Sequence, residues 1–206
     1  MKLLTRRGLL KGVIGIASLS IFSRNAISAI LTPSAMEGPF YPNESMRLAD
    51  VDNDLVKVSG LVKQAGGEII LLKGRVMSKD GQPLAEHRIE IWQCDVNGRY
   101  LHPNDVQSVM YDHGFQGFGH DITDANGNYS FITIKPAIYS GRAPHIHVKL
   151  FDGQNEILTT QLYIAGDANN NTDSLYRKMS VKQAKQVSMV FTEHKNVIET
   201  NIDLIV

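Results

Sequence analysis

From residue 68 onward the chain runs in short alternations of apolar and polar positions, each closed by turn residues. The segments "EIILLKGRVMS" (68–78), "HRIEIWQ" (87–93), "NYSFITI" (128–134), "EILTTQLYI" (156–164), "QVSMVFT" (186–192) and "NIDLIV" (201–206) each predict a strand. Between them "KDGQP", "DVNG" and "DANG" predict turns, because Gly, Asn and Asp supply the backbone conformations that tight reversals need. The stretch around "HGFQGFGH" (113–120) predicts a long glycine-rich loop, and only residues 172–186 look helical, with poor apolar spacing. Many short strands and frequent turns predict an all-β sandwich of mainly antiparallel strands, with long loops left to form any site.

One strand raises a question of chemistry. In "RAPHIHVKLF" (142–151), Ile146, Val148 and Leu150 fall on one face and His145, His147 and Lys149 on the other. The apolar set belongs to the core, which leaves the histidine pair facing solvent or a site.

The first 29 residues follow a different pattern. A basic start containing Arg6 and Arg7, the short apolar run "VIGIASLSIF" and the small residues of "NAISA" predict an export signal of the twin-arginine type, with an ordinary secretory signal as the alternative. The apolar run is too short for a stable membrane anchor. The mature protein is therefore expected outside the cytoplasm, periplasmic or extracellular, as one domain over residues 30–206. A chain of 206 residues with 43% hydrophobic content is long enough for one well-buried core. Removing the leader takes away five basic residues and no acids, leaving 16 basic against 21 acidic. That mildly acidic body, without a basic stripe, excludes nucleic acid as a natural partner. Cys94 is the single cysteine, so no intramolecular disulfide is available.

Two histidines at i and i+2 on a strand project together and can take adjacent positions around one metal ion, but the pair alone also suits hydrogen-bonded or solvated histidines. Pro144 stiffens the approach to the strand, and Arg142 adds a permanent positive charge. No Asp or Glu lies near enough in sequence to complete a two-histidine, one-carboxylate site, so further ligands must come from elsewhere. Two non-dioxygenase readings stand beside this one. The strand-turn-strand units at 74–93 and 123–131 resemble prealbumin-like sandwich modules that bind ligands or carbohydrate without chemistry, and the histidine pair would also suit a zinc hydrolase.

Five motifs in order, "EGPFYP" (37–42), "WQCDVNGRY" (92–100), "TIKPAIY" (133–139), "RAPHIH" (142–147) and "TTQLY" (159–163), resemble the intradiol ring-cleavage dioxygenases, the protocatechuate branch in particular. The resemblance implies a prealbumin-like sandwich holding a non-haem Fe(III) through Tyr100, Tyr139, His145 and His147. It implies a small aromatic diol and O2 as substrates, and cleavage between the two hydroxylated carbons to a cis,cis-muconate-type product. Arg142 would stabilise charge on the ring, Gln161 would lie beside the substrate, and Pro39 would border the pocket. Tyr139 would leave the metal and take up a substrate proton. Fe(III) is a hard acid that favours anionic oxygen donors, so the phenolates suit it. The usual "RPAHIH" of the family stands here as "RAPHIH", and the helical dimerisation region of catechol dioxygenases has no counterpart. With only one kind of chain, a homo-oligomer or a missing partner chain would both fit.

For the remaining residues the expectations are structural. His113 and His120 read as loop histidines, His102 as a group behind Tyr100, Tyr129 as a half-buried sandwich aromatic, Cys94 as a small buried residue and Trp92 as core or pocket wall. Scattered Arg and Lys residues do not choose between protocatechuate, catechol and hydroxyquinol.

Overall fold

In the computed structural model, which describes residues 30–206, the alternating segments form two five-stranded sheets. The expected export signal at 1–29 lies outside the described residues. The first sheet is built on β1 (Ile69–Met77), which pairs antiparallel with β4 (Asn128–Ile134) along one side. Along the other side β1 pairs in parallel with β9 (Val197–Asn201) and β10 (Leu204–Ile205), and β8 (Thr192–His194) pairs antiparallel with β9. The second sheet has the order β3 (Phe118–Ile122), β2 (Arg88–Trp92), β5 (His145–Asp152), β6 (Asn155–Ile164), β7 (Ser188–Met189).

The core lies between the sheets and obeys the period of two. From the first sheet it takes Ile70, Leu72, Val76, Tyr129 and Phe131, and from the second Ile89, Ile91, Ile146, Val148, Leu150, Leu158 and Leu162, all buried. Gly74 is the inward residue where a side chain would not fit: a Cβ there would collide with the Ile202 carbonyl. Into that space reaches Tyr129, fully buried rather than half-buried, whose hydroxyl donates to Ile202 O at 2.7 Å.

Four further expectations are corrected by the structure. The glycine-rich loop contains a strand, β3, antiparallel to β2, so His120 is a half-buried strand residue opposite Glu90 and not a loop histidine. Its apolar signal is hidden because Gly119 lies against the Asp52 carbonyl and Leu55, where no larger residue fits. The helical stretch at 172–186 is one 3-10 turn, Tyr176–Lys178, followed by a six-residue helix α1 (Val181–Gln186) started by a Ser180/Gln183 capping box, and a further 3-10 turn, Ala168–Asn171, precedes it. The segment 186–192 is no single strand: it crosses from β7 in one sheet to β8 in the other. At 201–206 the backbone breaks between β9 and β10. Among the described residues no helix is long and apolar enough to cross a membrane.

The outer face of the second sheet is not left to solvent. Residues 32–47 lie across it, with Ala35 N donating to Thr159 O at 2.8 Å, Gln161 Nε2 to Met36 O at 2.9 Å and Tyr41 Oη to Glu90 Oε2 at 2.7 Å. Lys149, on the histidine face of β5, pairs with Glu37 of this arm and with Glu156. The face opposite the core is thus a second, polar interior.

Candidate metal and substrate site

β5 begins at His145, immediately after Pro144, and its alternation aims His145 and His147 into that second interior, where they are 1% and 2% exposed. The cross-strand register sets their neighbours: Tyr163 opposite His145, and Gln161 and Trp92 opposite His147. Trp92 closes the floor by stacking flat on His147.

The two tyrosines come from loops that the sequence makes rigid. Tyr100 follows a turn organised by buried Asp95, whose Oδ1 accepts from Asn97 N at 2.8 Å and Arg99 N at 2.9 Å, and its own N–H donates to Asp105 Oδ2 at 2.7 Å. Tyr139 and Arg142 flank a two-residue turn in which Ser140 and Gly141 have φ of 45° and 74°, the left-handed pair of a type I′ turn, closed by Arg142 N to Tyr139 O at 2.8 Å.

Together the four rings enclose one spot. Centroids lie 5.0 Å apart for Tyr100 and Tyr139, 5.7 Å for Tyr139 and His145, and 4.7 Å for His145 and His147. The Nε2 atoms of the histidines face each other at 3.1 Å. His145 Nδ1 lies 2.6 Å from the Ala143 carbonyl, which can only accept, so the proton sits on Nδ1 and leaves the Nε2 lone pair free. Burial lowers the His145 pKa to about 4 and holds that of His147 well below the ordinary value, so both rings are neutral. Burial pushes the Tyr100 phenol well above its ordinary value; it also raises Tyr139, against the opposing pull of Arg142.

This donor set fits a hard, highly charged cation. Two neutral imidazoles converge with two buried phenols, and the Tyr100 hydroxyl has no hydrogen-bond partner, a costly arrangement for a group with nothing to bind. A cation would replace the missing partner and favour the phenolates. Among the described residues no three His, Cys, Asp or Glu side chains gather to share an ion, so the donor set of a zinc hydrolase is not present.

Beside the donors opens a cavity of about 340 Å³, lined by Pro39, Phe40, Asn104–Gln107, Tyr139, Ser140 and Arg142. Phe40 from the arm stacks on Tyr100 at 4.7 Å and meets Tyr139 edge-on. The Arg142 guanidinium is held from two sides, its Nε donating to Asp173 Oδ2 at 2.6 Å and its Nη2 to Gln161 Oε1 at 2.7 Å. A larger groove of about 510 Å³ lies along the first sheet beside Lys73, Asp121 and Asp124 and touches none of these groups.

The dioxygenase family model matches residues 36–204. The chain belongs to the intradiol dioxygenase family. It is 38% identical over 137 residues to the protocatechuate 3,4-dioxygenase beta chain of Burkholderia cepacia, covering 63% of this chain and 57% of that one. To the catechol 1,2-dioxygenase of Acinetobacter baylyi it is 30% identical over 168 residues, covering 70% and 50%. Among solved structures it resembles the dioxygenase domain of a dioxygenase and carbohydrate-binding protein fusion from the cellulolytic bacterium Streptomyces sp. SirexAA-E, with 28% identity and a TM-score of 0.63 over 86% of this chain and 98% of that one. The chain spans about half the length of the curated relatives it matches.

In this intradiol dioxygenase all seven residues singled out from the sequence lie at one place: Tyr100, Tyr139, His145 and His147 around the shared spot, Arg142 and Pro39 on the cavity, and Gln161 behind Arg142. His102 lies against Phe40, 5.7 Å away, while His113 is exposed beside Tyr111. Cys94 is buried with its thiol toward the Ala137 carbonyl, and burial first and Asp95 second push its pKa up to about 12, which leaves it inert. Three contributors went unseen in the sequence. Asp173 holds Arg142 from 31 residues away, Tyr163 donates to Gln161 Oε1 at 2.7 Å, and Phe40 roofs Tyr100. Phe40 and Tyr163 carried a signal, their places in "EGPFYP" and "TTQLY", while Asp173 carried none.

Proposed function

We propose that the protein is a non-haem ferric dioxygenase that opens a catechol-type ring between its two hydroxylated carbons, placing both atoms of O2 in a cis,cis-muconate-type product. The observation that carries this reading is the convergence of two buried phenols and two neutral imidazoles, one phenol hydroxyl unpartnered, beside a cavity floored by Tyr139 and Arg142. Relatives are named for protocatechuate, catechol and hydroxyquinol, all of them vicinal aromatic diols.

Tyr100, Tyr139, His145 and His147 would hold the iron. A ferric ion held there would supply the Lewis-acid chemistry that makes a vicinal aromatic diol reactive toward O2. The chain's own groups do the rest. Tyr139 lies on the cavity wall, where its Oη accepts the proton that a diol hydroxyl gives up, and its high proton affinity when free of a cation suits that task. Arg142 presents a fixed positive charge to negative charge developing on the ring, and needs no reorganisation because Asp173 and Gln161 already hold it. Phe40 and Trp92 exclude water from the donors on either side. A sandwich that merely bound carbohydrate would have no need for four donors brought together nine-tenths buried.

Residues 1–29 support export by the twin-arginine route, which carries folded proteins. Outside the cytoplasm, the substrate would be an extracellular aromatic. Assembly with copies of itself fits a single kind of chain.

Ferric reconstitution should give a visible phenolate-to-iron absorption that changes when catechol is added without oxygen, and O2 uptake with appearance of a muconate when air is admitted. A protein that stays colourless after reconstitution and consumes no O2 with catechol, protocatechuate or hydroxyquinol would overturn the proposal.

A further inference from the structure

We infer that Asp173 is a positioning residue which fixes Arg142 and, through the backbone of Ala143, His145, and that the order Ala143–Pro144 is what allows it to do both. The inference rests on the function proposed above. Asp173 is 1% exposed, and its Oδ2 accepts from Arg142 Nε at 2.6 Å and from Ala143 N at 3.0 Å. Its Oδ1 accepts from Leu175 N at 2.9 Å and Tyr176 N at 3.1 Å, so the carboxylate is itself pinned by the turn that carries it. The same residue then offers its carbonyl, one peptide further on, to His145 Nδ1 at 2.6 Å. One buried carboxylate thereby sets the direction of the guanidinium on the cavity wall and the tautomer and tilt of an imidazole among the donors.

The count of N–H groups explains the residue order. Proline has no N–H. With Pro at 143 and Ala at 144, the order usual in the family, Asp173 Oδ2 would lose its backbone donor and a new N–H would appear directly before His145. In this chain the alanine stands at 143, where its N–H is used by Asp173, and the proline at 144, where Asp173 asks for no donor. Groups one step behind a metal ligand or catalytic charge change affinity or activity by about 10–100-fold when removed.

Two variants separate the branches. Asp173→Asn keeps the volume but loses the charge that faces Arg142; at saturating iron its kcat for catechol should fall about tenfold or more with a smaller change in KM. The exchange Ala143→Pro with Pro144→Ala keeps the Arg142–Asp173 pair, removes the Ala143 donor and adds an N–H at 144. Titration of the apo-protein with ferric iron should show its affinity weakened about tenfold, with a smaller loss of kcat than in Asp173→Asn. If both variants lose only thermal stability, with ferric affinity and iron-saturated kcat within twofold of the parent, the residue is structural and the inference is wrong. If either variant fails to fold, the other still decides its own branch. Failure of the parent to turn over any catechol would sink the proposed function instead, while the ferric titration would still report on His145.

Discussion

Trp92 lies flat against His147, ring centroids 4.7 Å apart and planes 10° from parallel. The indole is completely buried, its Nε1 has no hydrogen-bond partner, and it is the only tryptophan in the chain. Its emission therefore reports on a single place. Ferric loading should quench the intrinsic fluorescence in proportion to iron bound, reaching an end point at one ion per chain. An emission indifferent to ferric iron would mean that the ion binds away from His147. Trp92→Ala should cost about 3–5 kcal/mol in urea unfolding, since it empties the centre of the smaller aromatic cluster.

The unpartnered Tyr100 hydroxyl sets stability against function. Tyr100→Phe removes a buried polar atom that the apo-protein cannot satisfy, so the metal-free variant should be more stable than the parent by about 1–2 kcal/mol. The same change should weaken ferric binding and shift the visible absorption. Equal or lower stability of the metal-free variant would show that the hydroxyl has a partner in solution.

Within the donor set the two kinds of ligand should behave differently. His147→Ala should lose iron, because the ring is 2% exposed and nothing nearby can replace its Nε2. Tyr139→Phe should keep iron and alter catechol affinity and turnover, as the ring lines the cavity. Metal analysis and anaerobic catechol titration measure both, and full iron content in His147→Ala would contradict the assignment.

The cavity wall also bears on the ring substituent. Its loop residues Asn104, Val106 and Gln107 are uncharged, the Asp105 carboxylate is occupied by Tyr100 N and Gln107 N, and Arg142 is already paired with Asp173. A substrate carboxylate would find no free cation among these groups and would lose hydration without repayment. Catechol should accordingly show a higher kcat/KM than protocatechuate, and Val106→Lys, at a position 88% exposed, should narrow the gap. A preference for protocatechuate in the parent would refute this expectation.

Acid stability should depend on Asp112. Burial opposes its charge, but Lys63, Gly66 N and Gly114 N stabilise the ionised form and hold its pKa below the ordinary 3.8. The unfolded chain then binds a proton that the folded one does not, so the contribution is complete above 3.8 and disappears as pH falls through the folded value. Asp112→Asn should destabilise the protein by about 1–3 kcal/mol at neutral pH and flatten the loss of stability on acidification. Unfolding curves at pH 7 and pH 3 provide the comparison.

Much of this site could be read from the chain because its groups follow local rules. The alternation of β5 is a property of the strand itself, and the turn residues before Tyr100 and Arg142 fix their loops within a few positions. What could not be read depends on contacts between distant segments. Asp173 looks like any loop aspartate until the chain after β6 folds back onto Arg142. Strand β3 is masked by glycines whose reason is the approach of Asp52 and Leu55 from another part of the chain. The second face of β5 was legible as non-core, yet nothing within the strand says that Lys149 is buried there, because the acids that receive it lie on the arm and on β6.

The arm that roofs the donors is fastened at an unexpected place. Thr32 N donates to Ile205 O at 2.9 Å, and Ile205 N returns a bond to Thr32 Oγ1 at 2.8 Å. The segment carrying Pro39 and Phe40 is thus among the earliest parts of the described chain to leave the ribosome, and its anchor is among the last. The clasp at Thr32 can form only after residue 205 has emerged, so this end of the arm is fastened after the strands and loops that carry Tyr100, Tyr139, His145 and His147 have already been made.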